Sequence, residues 1–567
     1  MTINLKSNPF NLDSESIKWI EDTIKKMSLR EKIGQLFCLQ GEVKTEEEIK
    51  KLISEYAPGG IMYRAMKKDE IYNIHKSLQE NSKIPLLISA NLETGGNGIV
   101  DEGTFYGTQL QVAASDDEEM AYKLGIIAGR EGSAVGCNWS FAPVVDINMN
   151  FRNPITNTRS FGSDPERIIR MAKGYMKGIG ESEVAVSIKH FPGDGVDDRD
   201  HHVLKSVNSL SVEKWDNTFG KIYGELIEDG VQTIMVGHMM LPQYTRKLCP
   251  GIEDKDIKPA SLSHEIVNGL LREKLNFNGM IVTDATPMAG FNQHVNRASA
   301  IPMSIAAGCD MILFTRDLEE DFNSLLKGIE EGIVTEERLN EAVTRILATK
   351  ASINLHKKKV SNALMKNKED SSVLRCEEHE TWARELADKS ITLVKDIQNL
   401  LPINSDKYKN ILLFSMGETL SDDNAKFKEF KIKLVENGFN VDIYNRDDFF
   451  GNFKFFGTSV EDIKKKYDLV IYFANIAPGS NKTNLRINFA LPMGFDAPWF
   501  INELPTMFIS IANPYHLQDV PNIRTFINGY SPNQYVIESI IEKILGKSKF
   551  KGINPIDPFC GYWDARL

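Results

Sequence analysis

Eight short apolar runs, mostly bounded by glycine, proline or asparagine, constrain the fold of this chain more than any other feature. They read LFCL (36–39), GGIMYR (59–64), PLLISANLE (85–93), NWSFAPVVDI (138–147), VAVSIKHF (184–191), TIMVGHMML (233–241), GMIVTDA (279–285) and CDMILFT (309–315). Stretches of helical periodicity follow them, such as EEMAYKLGIIAGREGSAV and DPERIIRMAKGYMKGIGE. Near-continuous rather than alternating hydrophobicity means strands covered on both faces. Eight strand–helix units in about 320 residues predict a (β/α)8 barrel, with a doubly wound sheet as its structural rival.

The chain has 567 residues, too many for one ordinary domain. Its opening segment, from Asp13 to Gln35, is helical in period, and Ser28 followed by Glu31 fits a capping box that starts LREKIGQL. Residues 1–355 are therefore expected to form the barrel. Residues 356–375 (HKKKVSNALMKNKEDSSVLR) are polar and charge-rich, and a helix ETWARELADKSITLV follows, so 356–389 reads as linker and connecting helix. The strand–helix rhythm restarts with NILLFSM (410–416), DLVIYFA (468–474) and PTMFISIAN (505–513), too few strands for a second barrel. A smaller three-layer α/β sandwich over 390–567 is the expectation.

Composition removes several classes of function. The net charge is −11, from 67 Lys plus Arg against 78 Asp plus Glu, with no basic stripe, so nucleic acid is not an expected partner. No apolar run nears the roughly 18 residues that span a bilayer, and the N-terminus lacks the apolar core of a signal peptide. The six cysteines are scattered, Cys249 and Cys309 being nearest at sixty positions apart, with neither CxxC nor finger spacing. The expectation is a cytoplasmic protein with reduced thiols, no membrane contact and no cofactor. Oligomeric state is left open.

In a barrel, chemistry sits at the C-terminal ends of the strands. Here the fifth run ends in Lys189 and His190, and its loop carries Asp194, Asp197, Asp198, Arg199, Asp200, His201 and His202. The seventh ends in Asp284, the fourth runs through Asp146 towards Arg159, and the third ends in Asn91 and Glu93. Each has an ordinary structural explanation. Asp284 can be a helix N-cap, DDRDHH a solvated turn, Lys189–His190 a structural pair, His238 a satisfied rim histidine, and Arg159 a partner of Asp164. Their convergence on one barrel mouth is what needs a ligand, because burying so many polar groups is costly unless they serve one another or a polar molecule.

A sugar, with its several hydroxyls, suits such a set. Its hydrolysis needs a carboxylate nucleophile, which Asp284 can supply, and a proton donor, which His202 can supply with Asp200 orienting it. Zinc fits less well: HExxH is absent, and adjacent His201 and His202 do not chelate comfortably together. GGNG at 95–98 is not a dinucleotide-binding GxGxxG.

These residues resemble glycoside hydrolase family 3, specifically its β-N-acetylglucosaminidase branch, through IKHFPGDGVDDRDHH, GMIVTDATPM, FAPVVDI and NPITNTRSFGSDP in the first domain and ITLVKDIQNLLPI and ISIANPYHLQDVP in the second. The resemblance implies a barrel followed by a three-layer sandwich, Asp284 as the glycosyl-accepting nucleophile, and Asp200–His202 as general acid/base. It also implies that Lys189, His190 and Arg159 contact the sugar. The chain departs from the family after its third strand, where Asn91-Leu92-Glu93-Thr94-Gly95-Gly96-Asn97 replaces an Asp-x-Glu-Gly-Gly-Arg stretch, leaving Asn91 or Glu93 as the substrate-binding equivalent. Asp194 replaces a histidine and is assigned no catalytic role.

The implied reaction is retaining removal of terminal β-linked N-acetylglucosamine from a muropeptide or chitin-oligosaccharide fragment. Within enzymes the alternatives are a phosphorylase, since a neutral imidazole does not repel phosphate, and a β-glucosidase. From another class, a non-catalytic sugar sensor is the alternative.

Overall fold

The computed structural model describes residues 3–366, 372–417, 425–444, 459–489 and 491–567. The chain divides into two compact units. The first comprises Met1–Tyr106, Ala121–Asn153 and Pro165–Glu380, and the second Gly107–Met120, Pro154–Asp164 and Thr381–Leu567. The division is not collinear with the sequence: two segments from the first third of the chain are grouped with its last third.

In the first unit each of the eight apolar runs supplies a strand, and all eight close into one parallel barrel: β1 Phe37–Gln40, β2 Gly60–Met62, β3 Leu87–Ala90, β4 Trp139–Ser140, β5 Ala185–Phe191, β6 Thr233–Val236, β7 Met280–Ala285 and β8 Met311–Leu313. β8 pairs back on β1 through Phe37↔Ile312 and Cys38↔Leu313, so no edge is left. Two of the barrel's pairings lose register, between Ile188 and Phe191 on β5 and between Val282 and Ala285 on β7. Lys189, His190 and Asp284 lie in those interruptions, which re-aim side chains that a regular ladder would point elsewhere. The capping box at Ser28 is present and starts helix Leu29–Gln35, after a separate helix Ser14–Lys26.

The opposite end of the barrel is tied by charge. Asp310, just before β8, accepts from Arg272 at 2.6 Å, Arg338 at 2.5 Å and the backbone N–H of Ile281 at 2.9 Å, with Arg345 at 3.5 Å. All four side chains are largely buried, so the arginines compensate a carboxylate that could not stand there alone.

The second unit is built on a six-stranded sheet of order β11-β10-β12-β13-β14-β9, with β9 Thr392–Asp396, β10 Asn410–Gly417, β11 Asn440–Ile443, β12 Leu469–Asn475, β13 Thr506–Ser510 and β14 Thr525–Asn528. Only β9 runs antiparallel to its neighbour. Phe414, Tyr472, Phe508 and Phe526 are register partners on four successive strands, and their rings stack at 4.4, 5.9 and 5.3 Å across one face. Ile463 of helix Val460–Lys466 packs against that face, while Phe430 of helix Ala425–Glu436 stacks on Phe473 on the other. Helices and chain on both faces make three layers.

Two local expectations need correction. The helix expected over ETWARELADKSITLV stops at Ser390, and Thr392–Asp396 is a strand, because the β-branched residues Ile391, Thr392 and Val394 suit the sheet better than a helix. Across the expected start of the linker at 356, Leu355–Val360 is helical, with Leu355 and His356 buried; residues 367–371 of the linker lie outside the described residues. No helix among the described residues is long and apolar enough to cross a membrane.

Candidate active site

The site is assembled at the C-terminal ends of β3, β4, β5 and β7. β5 is the longest barrel strand and wholly buried, so its last residues reach further out than their neighbours. Beyond it Gly193 has φ +115°, a left-handed region costly for any side chain, and a Cβ there would run into the Phe219 ring. That tight bend returns the chain over the barrel mouth. The carbonyl of Gly193 accepts from Asn208, and Asp197 accepts from Arg199 and from the backbone N–H of Val207 at 2.8 Å. DDRDHH is thus no solvated turn: Asp200 and His201 are buried, and only its outer residues Asp198 and Arg199 meet solvent freely.

Two polar pairs frame one side. Lys189 Nζ donates to Asn91 Oδ1 and pairs with Glu93 Oε1, both at 2.9 Å, so both candidate residues after β3 meet the same ammonium. The loop beyond them is fastened by buried Glu131, which accepts from the Thr104 N–H at 2.7 Å and its hydroxyl at 2.6 Å. Gly96, from the GGNG stretch, lets the chain pass close over Glu131. His190 Nδ1 lies 2.7 Å from Asp146 Oδ2, and Asp146 Oδ1 accepts the N–H groups of His190 and Asp194 at 3.1 and 2.8 Å. Burial works to raise the Asp146 pKa, but His190 and these N–H groups outweigh it and keep the carboxyl below its usual range.

Asp284 ends β7 in a nest of imidazoles. Its Oδ1 accepts from the Ala285 N–H at 2.7 Å, and its Oδ2 stands 3.9 Å from His190 Nε2 and 3.8 Å from His201 Nε2. Burial opposes ionisation of Asp284, and the rings of His190, His201, His238 and His202 outweigh it, holding the carboxyl far below the usual range. Burial pushes His201 down to about 3 and His238 to about 4, so these two are uncharged near neutrality, and His201 turns its Nε2 towards Asp284 as an oriented dipole. His238 is also fully hydrogen-bonded, to Ser261 Oγ at 2.8 Å and the Ala285 carbonyl at 3.1 Å, as a rim histidine should be.

Asp200 and His202 form the second carboxyl–imidazole pair. Asp200 Oδ1 lies 2.6 Å from His202 Nδ1 and accepts the His202 backbone N–H at 2.8 Å. Asp200 is buried, whereas the His202 ring is partly exposed, its Nε2 edge turned away from the carboxylate. The backbone carbonyls of His201 and His202 accept from the N–H groups of Gly290 and Ala289, at 3.1 and 3.0 Å. Those N–H groups open the short helix that follows β7, so the loop bearing His202 is latched to the strand bearing Asp284. A side chain at 290 would press on the His201 carbonyl, which explains the glycine.

Eight of the nine residues singled out from the sequence therefore belong to one site: Asn91, Glu93, Asp146, Lys189, His190, Asp200, His202 and Asp284. The ninth, Arg159, belongs to the second unit. It closes the 3-10 turn Asn157–Arg159 in the segment Pro154–Asp164 of the second unit, where Asn157 donates to Asn513 at 3.1 Å. Sequence reasoning gave His201 and Asp194 no role, yet both are buried and the His201 ring stands between Asp194 and Asp284; the signals were the place of His201 inside the Asp-x-His motif and the histidine that Asp194 replaces. Asp200, His201 and His202 bring donor atoms within 4.8 Å of one another, as do Cys376, Glu378 and His379. In the first trio Asp200 and His202 are already spent on each other, and in the second His379 is bonded to Glu131 at 2.6 Å. Neither offers the open tetrahedral set of a zinc site.

A closed parallel barrel whose mouth holds an ionised carboxylate, a carboxyl–imidazole pair and a Lys–Glu–Asn frame defines an enzyme that transfers or hydrolyses a polar group at its strand ends. The Glycosyl hydrolase family 3 N terminal domain matches residues 28–349. The chain belongs to that family and is a glycosidase with a carbohydrate substrate. It is 43% identical over 570 residues, covering 100% of both chains, to the beta-N-acetylglucosaminidase/beta-glucosidase of Cellulomonas fimi. It is likewise 43% identical to the solved structure of the beta-glucoside phosphorylase BglX, with TM-score 0.94 over 99% of both chains. A glycoside hydrolase family 3 beta-N-acetylglucosaminidase from Paenibacillus sp. str. FPU-7 shares the fold, at 24% identity and TM-score 0.77 over 94% of this chain and 99% of that one.

Proposed function

We propose that this glycosidase removes a terminal β-linked N-acetylglucosamine with retention of configuration, and accepts β-glucosides in the same site. The observation that carries this reading is the pairing of an ionised Asp284 with a separate Asp200–His202 dyad in one barrel mouth. Asp284 attacks the anomeric carbon and forms a glycosyl ester while His202 Nε2 gives its proton to the departing oxygen. His202 then takes a proton from the incoming acceptor as that oxygen attacks the same carbon, freeing Asp284. Asp200 holds the ring through Nδ1, which leaves Nε2 for the transfer. Lys189, set between Asn91 and Glu93, and His190, set on Asp146, are the groups offered to sugar hydroxyls. The Cellulomonas fimi relative, named for both activities, supports the double sugar range.

A second reading concerns the acceptor. Where the acid/base is an imidazole rather than a carboxylate, an approaching anion meets one charge fewer, and the likeness to a beta-glucoside phosphorylase favours inorganic phosphate as an acceptor beside water. Initial rates on nitrophenyl β-N-acetylglucosaminide and β-glucoside, with and without phosphate, test both readings. Turnover of the acetamido sugar above the glucoside supports the first, and sugar 1-phosphate among the products supports the second. Asp284→Ala is expected to abolish turnover. His202→Ala is expected to slow substrates with poor leaving groups by roughly 100-fold or more and nitrophenyl substrates far less. Equal losses on both would remove His202 from the acid/base role, and activity on neither sugar would sink the substrate assignment.

A further inference from the structure

Three buried polar atoms beside the nucleophile have no hydrogen-bond partner: Asp194 Oδ2, His201 Nε2 and Asp284 Oδ2. They converge, with His201 Nε2 at 3.7 Å from Asp194 and 3.8 Å from Asp284. The His201 ring has only one way to face them. Its Nδ1 accepts the backbone N–H of His238 at 3.4 Å, so the proton of the neutral ring is on Nε2, between the two carboxyl groups. Asp194 Oδ1 is already taken by the N–H of Gly195 at 2.6 Å and by Asn153 at 3.0 Å, which leaves Oδ2 as its open oxygen.

We propose that His201 and Asp194 are positioning residues for the nucleophile, with the His201 Nε2–H a single donor shared between Asp284 and Asp194. The proposal rests on Asp284 being the glycosyl-accepting carboxylate. In the second half of the reaction the ester bond from the anomeric carbon to Asp284 breaks, the acceptor oxygen forms the new bond, and the electron pair returns to the carboxylate. A donor aimed at that carboxylate stabilises the charge as it develops, as an oxyanion donor does. His201 therefore serves release of the covalent sugar more than its formation.

Asp194 controls how much of the donor Asp284 receives. Burial, reinforced by the charge of Asp146, pushes Asp194 up to about 8. Below that pH its Oδ2 carries a proton and competes poorly for the His201 N–H; above it, an anionic Asp194 draws the donor away. The titratable groups facing the pair are Asp146 after β4, His190 on β5, Asp200 and His202 in their own loop, His238 after β6 and Asp284 on β7.

Steady-state kinetics on an activated aryl glycoside, with intact-protein mass of quenched samples, tests this. His201→Leu is expected to lower kcat by roughly tenfold or more, less than the roughly 100-fold of a fully engaged oxyanion donor because this one is shared, with KM falling alongside and the glycosyl-enzyme accumulating. His201→Gln, which returns an N–H near the Nε2 position, is expected to recover most of the loss. In the wild-type enzyme the same joint fall of kcat and KM is expected as pH rises through about 8, and Asp194→Asn, a neutral isostere, is expected to remove it. The proposal is overturned if Leu and Gln at 201 behave alike, or if Asp194→Asn leaves the alkaline transition in place. The Asp194 arm stands even if His201→Leu does not fold. A 2-fluoro glycoside that labels the wild-type enzyme elsewhere than Asp284 would overturn both this proposal and the nucleophile assignment; labelling at Asp284 with unaltered variants would overturn this one alone.

Discussion

Asp284 and Asp194 are buried carboxyl groups a few ångströms from the same imidazole, yet they titrate in opposite directions. Asp284 is buried but surrounded by rings on several sides and is held ionised, whereas burial, reinforced by the charges of Asp146 and Asp200, pushes Asp194 up. The difference has a consequence for stability. An acid whose pKa rises from an ordinary 3.8 to about 8 on folding binds its proton more tightly in the native state. Its contribution therefore turns increasingly unfavourable as pH climbs through that window, and is fully unfavourable above it. Asp194→Asn removes the titration, so the variant is expected to gain in Tm over wild type more at pH 8 than at pH 5. Thermal melts at the two pH values check this, and a gain that does not grow with pH would refute the buried, protonated Asp194.

At the scale of elements, the barrel separates chemistry from support. Its register breaks fall on β5 and β7 at the mouth, while the other end is closed by Asp310 and three arginines. Removing the carboxylate leaves Arg272, Arg338 and Arg345 facing one another in a buried space, where Glu341 pairs with Arg338 and Arg345 but not with Arg272 among the described residues. Asp310→Ala is expected to destabilise the barrel by about 3–5 kcal/mol, the cost of stranding buried charge. Denaturation midpoints measure it, and kcat/KM of the folded fraction is expected to stay near the wild-type value because the cluster is at the end of β8 remote from Asp284. A midpoint within error of wild type would mean that water reaches the arginines.

For the molecule as a whole, the two units are interleaved in sequence. Gly107–Met120 belongs to the second unit through the Thr108 N–H on Ser531 Oγ at 2.8 Å, the Thr108 hydroxyl on the Tyr530 carbonyl at 3.0 Å and the Ile553 N–H on the Ala114 carbonyl at 2.9 Å. Leu110, Val112, Ala113 and Ala114 in that segment are fully buried. A chain cut after Glu380 would leave these apolar residues without cover. It is expected to aggregate or to lose cooperative melting, even though it retains every barrel strand; a soluble, cooperatively melting 1–380 fragment would show that the segment can find cover within the barrel unit.

Much of this was legible beforehand for a simple reason: hydrophobic periodicity records which faces are buried, and eight doubly buried strands in alternation with helices admit few architectures. The ionisable residues at strand ends were legible too, because a polar residue that interrupts an apolar run stands out. Three strands of the second sheet were not: the edge strand β11 and the inner strand β14 are four residues each, and the other edge strand, β9, continues straight from a helix. Periodicity is also silent on what a buried face is buried against, so Gly107–Met120 and Pro154–Asp164, with Arg159, read as barrel while belonging to the second unit. The amino-acid sequence alone determined the eight doubly buried strands alternating with helices, the residue types at their ends and the local Asp200–His202 pair, since these depend on neighbours in the chain. Only the tertiary structure decided that Asp146 meets His190, that Lys189 bridges Asn91 and Glu93, and that Asp194 and His201 stand beside Asp284, because those contacts are set by how distant strands close into a ring.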